Sequence, residues 1–115
     1  MRRATLVLAL VIISGFLAQP VSADDRSVCD TMWETAPDQA IAACTRLIAS
    51  AKGRTLATTY YNRGSAYNGK GEYDRAIADL NEAIRLDPNN AKARSALARV
   101  EQARAIANDG DDDEQ

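Results

Sequence analysis

The sequence predicts an all-α fold, a short array of helix-turn-helix units with a C-terminal capping helix, and three observations carry that expectation. The chain matches itself at an offset of 36 positions: Asp38-Gln39-Ala40-Ile41-Ala42-Ala43-Cys44 aligns with Asp74-Arg75-Ala76-Ile77-Ala78-Asp79-Leu80, and Leu47-Ile48 with Ala83-Ile84. Both copies place apolar residues at i, i+1, i+4, i+7 and i+8, which is one stripe along an α-helix. Turn and stop signals frame each copy: Pro37 suits the first turn of the earlier helix, Gly53 follows its end, Lys70-Gly71 precedes the later one, and Asp87-Pro88-Asn89-Asn90 ends it. Two equivalent helices in one chain imply a repeat architecture.

From the N-terminus, residues 1–23 read as a secretory signal. Arg2 and Arg3 are followed by a mainly apolar stretch, Ala4 to Ala18, and Val21-Ser22-Ala23 offers a small-residue cleavage site. The stretch falls short of the ~20 residues that span a bilayer, so a membrane anchor is not expected after cleavage. The mature chain would begin at Asp24 and be exported to the periplasm or medium. It would carry 12 basic and 16 acidic residues, five of the acids lying within Asp109 to Glu114. The body from Asp24 to Asn108 is then nearly neutral with its charges mixed, which excludes the clustered basic face that nucleic acid requires.

A first helix is barely visible in Asp24 to Trp33, and the earlier repeat copy follows it. A third helix is expected over about Thr55 to Asn68, where Gly64 costs ~1 kcal/mol relative to alanine and therefore implies a close approach by another helix. A further helix, about Ala91 to Ala107, begins after the Asn90 cap with Ala93, Ala96, Leu97, Val100, Ala103 and Ala107 as its apolar stripe. The residues after it, 109–115, read as an acidic disordered tail.

Tyr60, Gly64, Tyr67, Gly71, Tyr73, Ala76, Leu80, Ala83 and Pro88 together resemble the tetratricopeptide repeat, a helix-turn-helix unit with a 34-residue period. The complete unit would be Ala57 to Asn90, with Arg63 standing where the pattern usually has leucine. Residues 24–107 resemble about two and a half units, the upstream copy being degenerate at Cys44, Leu47 and Lys52. The paired cysteines beside Ala43-Cys44-Thr45-Arg46-Leu47-Ile48 also look like small exported bacterial members of the family. An exported chain allows disulfides to persist, and a Cys29–Cys44 bond would stabilise a body this short by roughly 3 kcal/mol.

The resemblance implies a short α-solenoid with a groove lined by the first helix of each unit. Carried over position by position, the lining is Thr58, Tyr61, Asn62, Ser65 and Asn68, joined by Lys92, Ser95, Arg99 and Gln102 of the last helix. Its occupant would be a peptide segment or helix of a protein partner. Asn62 and Lys92 hold two positions of the family's carboxylate clamp, but Asp25, Cys29 and Ala96 do not suit the others. Trp33 and Tyr61 read as packing or groove residues. No histidine is present, which removes the commonest general base and metal ligand. Asp79 and Glu82 are expected on the exposed side of their helix, opposite Ala76, Leu80 and Ala83. The expected function is therefore non-catalytic binding, without cofactor or metal. Self-assembly into a homo-oligomer and thiol redox chemistry at Cys29 and Cys44 are the alternatives.

Overall fold

The computed structural model describes residues 21–112, which form five helices: α1 (Ala23–Thr31), α2 (Pro37–Ile48), α3 (Gly53–Gly69), α4 (Tyr73–Leu86) and α5 (Ala91–Asp112). Residues 1–20 of the expected leader lie outside the described residues, as do 113–115 of the tail. Among the described residues no helix is long and apolar enough to cross a membrane.

Local chemistry explains the boundaries. Asp24 and Asp25 occupy the first turn of α1 and Asp38 that of α2, where the helix dipole favours negative charge. Pro37 opens α2 at a position whose N–H has no intrahelical partner to lose. Gly71, at φ 74°, supplies the left-handed residue that reverses the chain between α3 and α4. The Asn90 side-chain oxygen accepts the Ala93 N–H at 3.1 Å and so caps α5. That helix runs further than its sequence stripe suggested, because Ala103, Ala105 and Ala107 propagate it past Asn108 to Asp112. Residues 109–112 are its last turn.

The helices form two layers. Consecutive helices pack on each other, and α1 and α5 each also touch α3, whereas α2 and α4 do not meet. Helices α1, α3 and α5 thus make one layer, with α2 and α4 behind. The closest approach is between α3 and α4: a Cβ at Gly64 would stand 3.1 Å from Leu80 Cγ and 3.2 Å from the Ala76 carbonyl oxygen. That is the packing reason for a glycine inside a helix.

Arg63, beside Gly64, fills the gap between α2 and α4. Its Nε and Nη2 donate to the two carboxylate oxygens of Asp79 on α4 at 2.7 and 2.8 Å. Its Nη1 donates to Thr45 Oγ1 on α2 at 3.1 Å, and the guanidinium lies 5.6 Å from the Tyr60 ring and 5.8 Å from the Tyr67 ring. The paired carboxylate holds the guanidinium pKa above its already high ordinary value, so it stays charged. This corrects one reading of the sequence. Asp79 is not on the exposed side of α4 but only 6% exposed, because an arginine at the usual leucine place supplies the counter-charge that permits burial. Glu82 is half-buried and paired with Arg85 on its own helix.

Two small cores result. One joins Cys29, Ala43, Cys44 and Leu47 between α1 and α2; the other joins Ala76, Leu80, Ala96 and Val100, with Tyr61, Tyr67, Tyr73, Ile77 and Leu97 against it. The first contains the Cys29–Cys44 disulfide, which closes a separation of 15 residues. A second tie crosses the same pair of helices: Arg46 Nε lies 3.1 and 3.0 Å from the carboxylate oxygens of Asp25.

Leu80 is fully buried at the centre of the second core. Leu80→Ala is expected to cost about 2–4 kcal/mol in urea unfolding. Asp79→Ala should cost about 2–4 kcal/mol by leaving Arg63 without its partner, and adding Arg63→Leu should recover most of that loss. Equal stabilities of Asp79→Ala and the double variant would contradict the clamp.

Candidate functional site

The layer of α1, α3 and α5 carries a shallow face on which three cavities adjoin, of about 310, 80 and 340 Å³. Tyr61 lines all three. Because α3 lies between α1 and α5, its i, i+4 and i+7 positions Tyr61, Ser65 and Asn68 form the floor, and α5 supplies one wall through Lys92, Ser95 and Arg99, which share a helical face. The opposite wall comes from the N-terminal segment: Asp30 of α1 lines one cavity and Trp33, in the turn after α1, another.

Eight of the nine residues expected on the groove line these cavities; Gln102 stands exposed a turn further along α5 and lines none of them. Asn62 has a different environment from its neighbours. It is buried, and its Nδ2 donates to Asp30 Oδ1 at 2.9 Å, joining α3 to α1. Its amide is therefore engaged within the fold, which leaves Lys92 without the second clamp donor. Asn90 and Ala91 at the start of α5, the core residues Leu80, Ala96 and Val100, and Asp30 also line these cavities without having been expected there, and Asp30 is the charged one among them. Its only signal was its place next to Cys29, whose bond to Cys44 sets which side of α1 faces α3.

Residues 57–90, from Ala57 to Asn90, match the family model of the tetratricopeptide repeat. This stretch is therefore similar to a tetratricopeptide repeat. The match covers the unit α3–α4 with the same bounds as the complete repeat read from the sequence, and α5 packs on it as the first helix of a following unit would. The pair α1–α2 precedes it. No solved structure matches the chain significantly.

A cavity of about 580 Å³, larger than these three, lies away from this face, between the turn after α3 and the C-terminal half of α5. It is an open cleft of mixed charge, lined by Asp74 and Arg104, which pair across it at 3.0 Å. Among the described residues there is no group of three or more histidine, cysteine or acidic side chains placed to hold a metal.

One wall of the repeat's shallow face depends on how α1 is held. Hydrogen bonds from Arg46 and from the Ser22 backbone N–H keep Asp25 below the usual carboxylate range, so this tie is at full strength above that range and is lost as pH falls through the lowered value. Ser22 precedes the expected cleavage site, so in a chain cut after Ala23 the Arg46 contact alone would remain. The disulfide is the covalent part of the anchorage, and Trp33, the single tryptophan, is its natural reporter. Reduction of the folded chain is expected to shift Trp33 emission to the red while most of the far-UV helical signal persists, since α3, α4 and α5 keep their own core. Unchanged emission with the thiols shown to be free would mean that the disulfide does not hold this wall.

Proposed function

We propose that this chain is a non-catalytic interaction module that binds a segment of a protein partner along the α1–α3–α5 face, and that it works outside the cytoplasm. The observation that carries the binding reading is the convergence of three adjoining cavities on Tyr61, rimmed by Lys92, Ser95 and Arg99, whose side chains make no hydrogen bond or ion pair within the described residues. An aromatic floor with uncommitted polar groups at its rim suits a peptide, which offers both apolar side chains and backbone groups. Tetratricopeptide repeats typically bind protein partners, and that supports the same reading.

Export rests on the leader-like residues 1–23 and on two cysteines that are fully buried and bonded, a pairing that persists in oxidising compartments. The same burial argues against thiol redox chemistry, because an attacking thiolate needs access to sulfur.

A photo-cross-linking side chain placed at Ser95 should yield a covalent adduct with a partner in the native envelope or medium, whereas the same group at Ala78, exposed on α4, should not. Equal adducts from both positions would remove the α1–α3–α5 face as the binding surface.

A further inference from the structure

We propose that Met32 is a reversible oxidation site, at which a peroxide adds one oxygen to sulfur, and that Thr35 receives the resulting sulfoxide so that the turn between α1 and α2 is held more tightly. This goes beyond the binding reading and does not rest on it. The described residues contain three sulfur atoms. Those of Cys29 and Cys44 are bonded to each other in fully buried residues, whereas Met32 is 36% exposed. The chain's other methionine, Met1, belongs to the expected leader. A thioether reacts through an accessible lone pair, so an oxidant that reaches this fold meets one open sulfur.

Met32 stands at a junction of the backbone. Its N–H donates to the Val28 carbonyl at 3.0 Å and closes α1, and its own carbonyl accepts the Ala36 N–H at 2.8 Å, one residue before α2. Trp33, which lines the shallow face, lies inside that turn, and its carbonyl oxygen faces Gly69 at the end of α3, where a Cβ would stand 3.6 Å from it. The Met32 side chain folds back over the same turn, and its sulfur accepts the Thr35 hydroxyl at 3.5 Å. Any change in the sulfur as an acceptor therefore acts on the segment that carries Trp33.

Oxidation changes it in one direction. The sulfur attacks one oxygen of hydrogen peroxide, the O–O bond breaks as the S–O bond forms, and the departing hydroxide takes the proton of the transferred oxygen to leave as water. Sulfur gives up two electrons and the peroxide accepts them, so no further reactant is required. A thioether sulfur is a weak acceptor, whereas the sulfoxide is polar and offers an oxygen. The present geometry admits that oxygen. An S–O bond of about 1.5 Å and an O–H···O contact of about 2.7 Å, meeting at about 115°, span about 3.6 Å between sulfur and hydroxyl, against 3.5 Å in the unoxidised turn. Thr35 thus exchanges a weak bond for a stronger one without a shift of the backbone. Methionine sulfoxide reductases reverse the reaction, and an exposed side chain is open to them.

In the test, the disulfide-bonded protein is treated with dilute hydrogen peroxide and the added oxygen is placed by peptide mapping. Oxygen is expected on Met32, at a rate within about tenfold of a blocked methionine peptide, and Met32→Leu should take up none in the corresponding peptide. Hydrogen exchange of the Ala36 N–H should then be about threefold slower in the oxidised wild type, the change expected of one modest additional hydrogen bond. In Thr35→Val, whose side chain keeps its shape and loses the donor, oxidation should not slow that exchange. A methionine sulfoxide reductase should return the oxidised wild type to its starting rate. Oxidation of Met32 much slower than that of the peptide, or unchanged or faster exchange in the oxidised wild type, would overturn the proposal. The same slowing in Thr35→Val would overturn it too.

Discussion

The arrangement of α2, α3 and α4 depends on what Arg63 does between α2 and α4, two helices whose backbones stay apart. A leucine there could fill space against α4, but it could not reach a polar partner on α2. The guanidinium does both: it binds Asp79 in a two-pronged geometry, reaches Thr45 with its remaining nitrogen, and lies against two tyrosine rings of its own helix. Such a pair contributes little net stability, because desolvation offsets much of the attraction. It does fix the register of α3 against α4, since sliding either helix would strand a half-buried charge. Gly64 makes the clamp possible by bringing α3 close enough to α4 for Asp79 to be in reach.

The cores on either side of this clamp are thin. Most fully buried positions are alanines, and small side chains let helices approach while removing little apolar area from water. The N-terminal pair α1–α2 is the thinner of the two, with Leu47 as its one large aliphatic residue buried below a tenth of its surface. A disulfide and an ion pair between Asp25 and Arg46 supply there what stacking supplies elsewhere. Stability and binding surface are consequently linked at this end, because the same short helix that needs stapling contributes Asp30, and the turn after it contributes Trp33, to one wall of the shallow face.

The opposite wall obeys a different constraint. α5 closes the second core with Ala93, Ala96 and Val100, so its packing is complete without Lys92, Ser95 or Arg99. Those residues are free to be chosen for a ligand. The face thus combines a wall set by covalent anchorage with a wall set by uncommitted charge, and Tyr61 lies on the floor between them.

The sequence by itself determined the helices and the repeat. The match of Asp38–Cys44 to Asp74–Leu80, the Gly71 and Pro88 breaks and the Gly64 gap are local or periodic signals, and local propensity and spacing suffice to read them. The pairing of Cys29 with Cys44 was legible for the simpler reason that the chain has no other cysteine. Most lining positions of the shallow face could be placed because the resemblance to the tetratricopeptide repeat, set in register by Gly64, implied them. Only the tertiary structure decided which polar residues are buried. Asp79 looks like any surface acid on its helix until α3 brings Arg63 against it, and Asn62 looks like a free groove residue until α1 brings Asp30 within 2.9 Å. Both outcomes depend on partners 16 and 32 residues away in the chain, and no pattern within a single helix records a charge contributed by another.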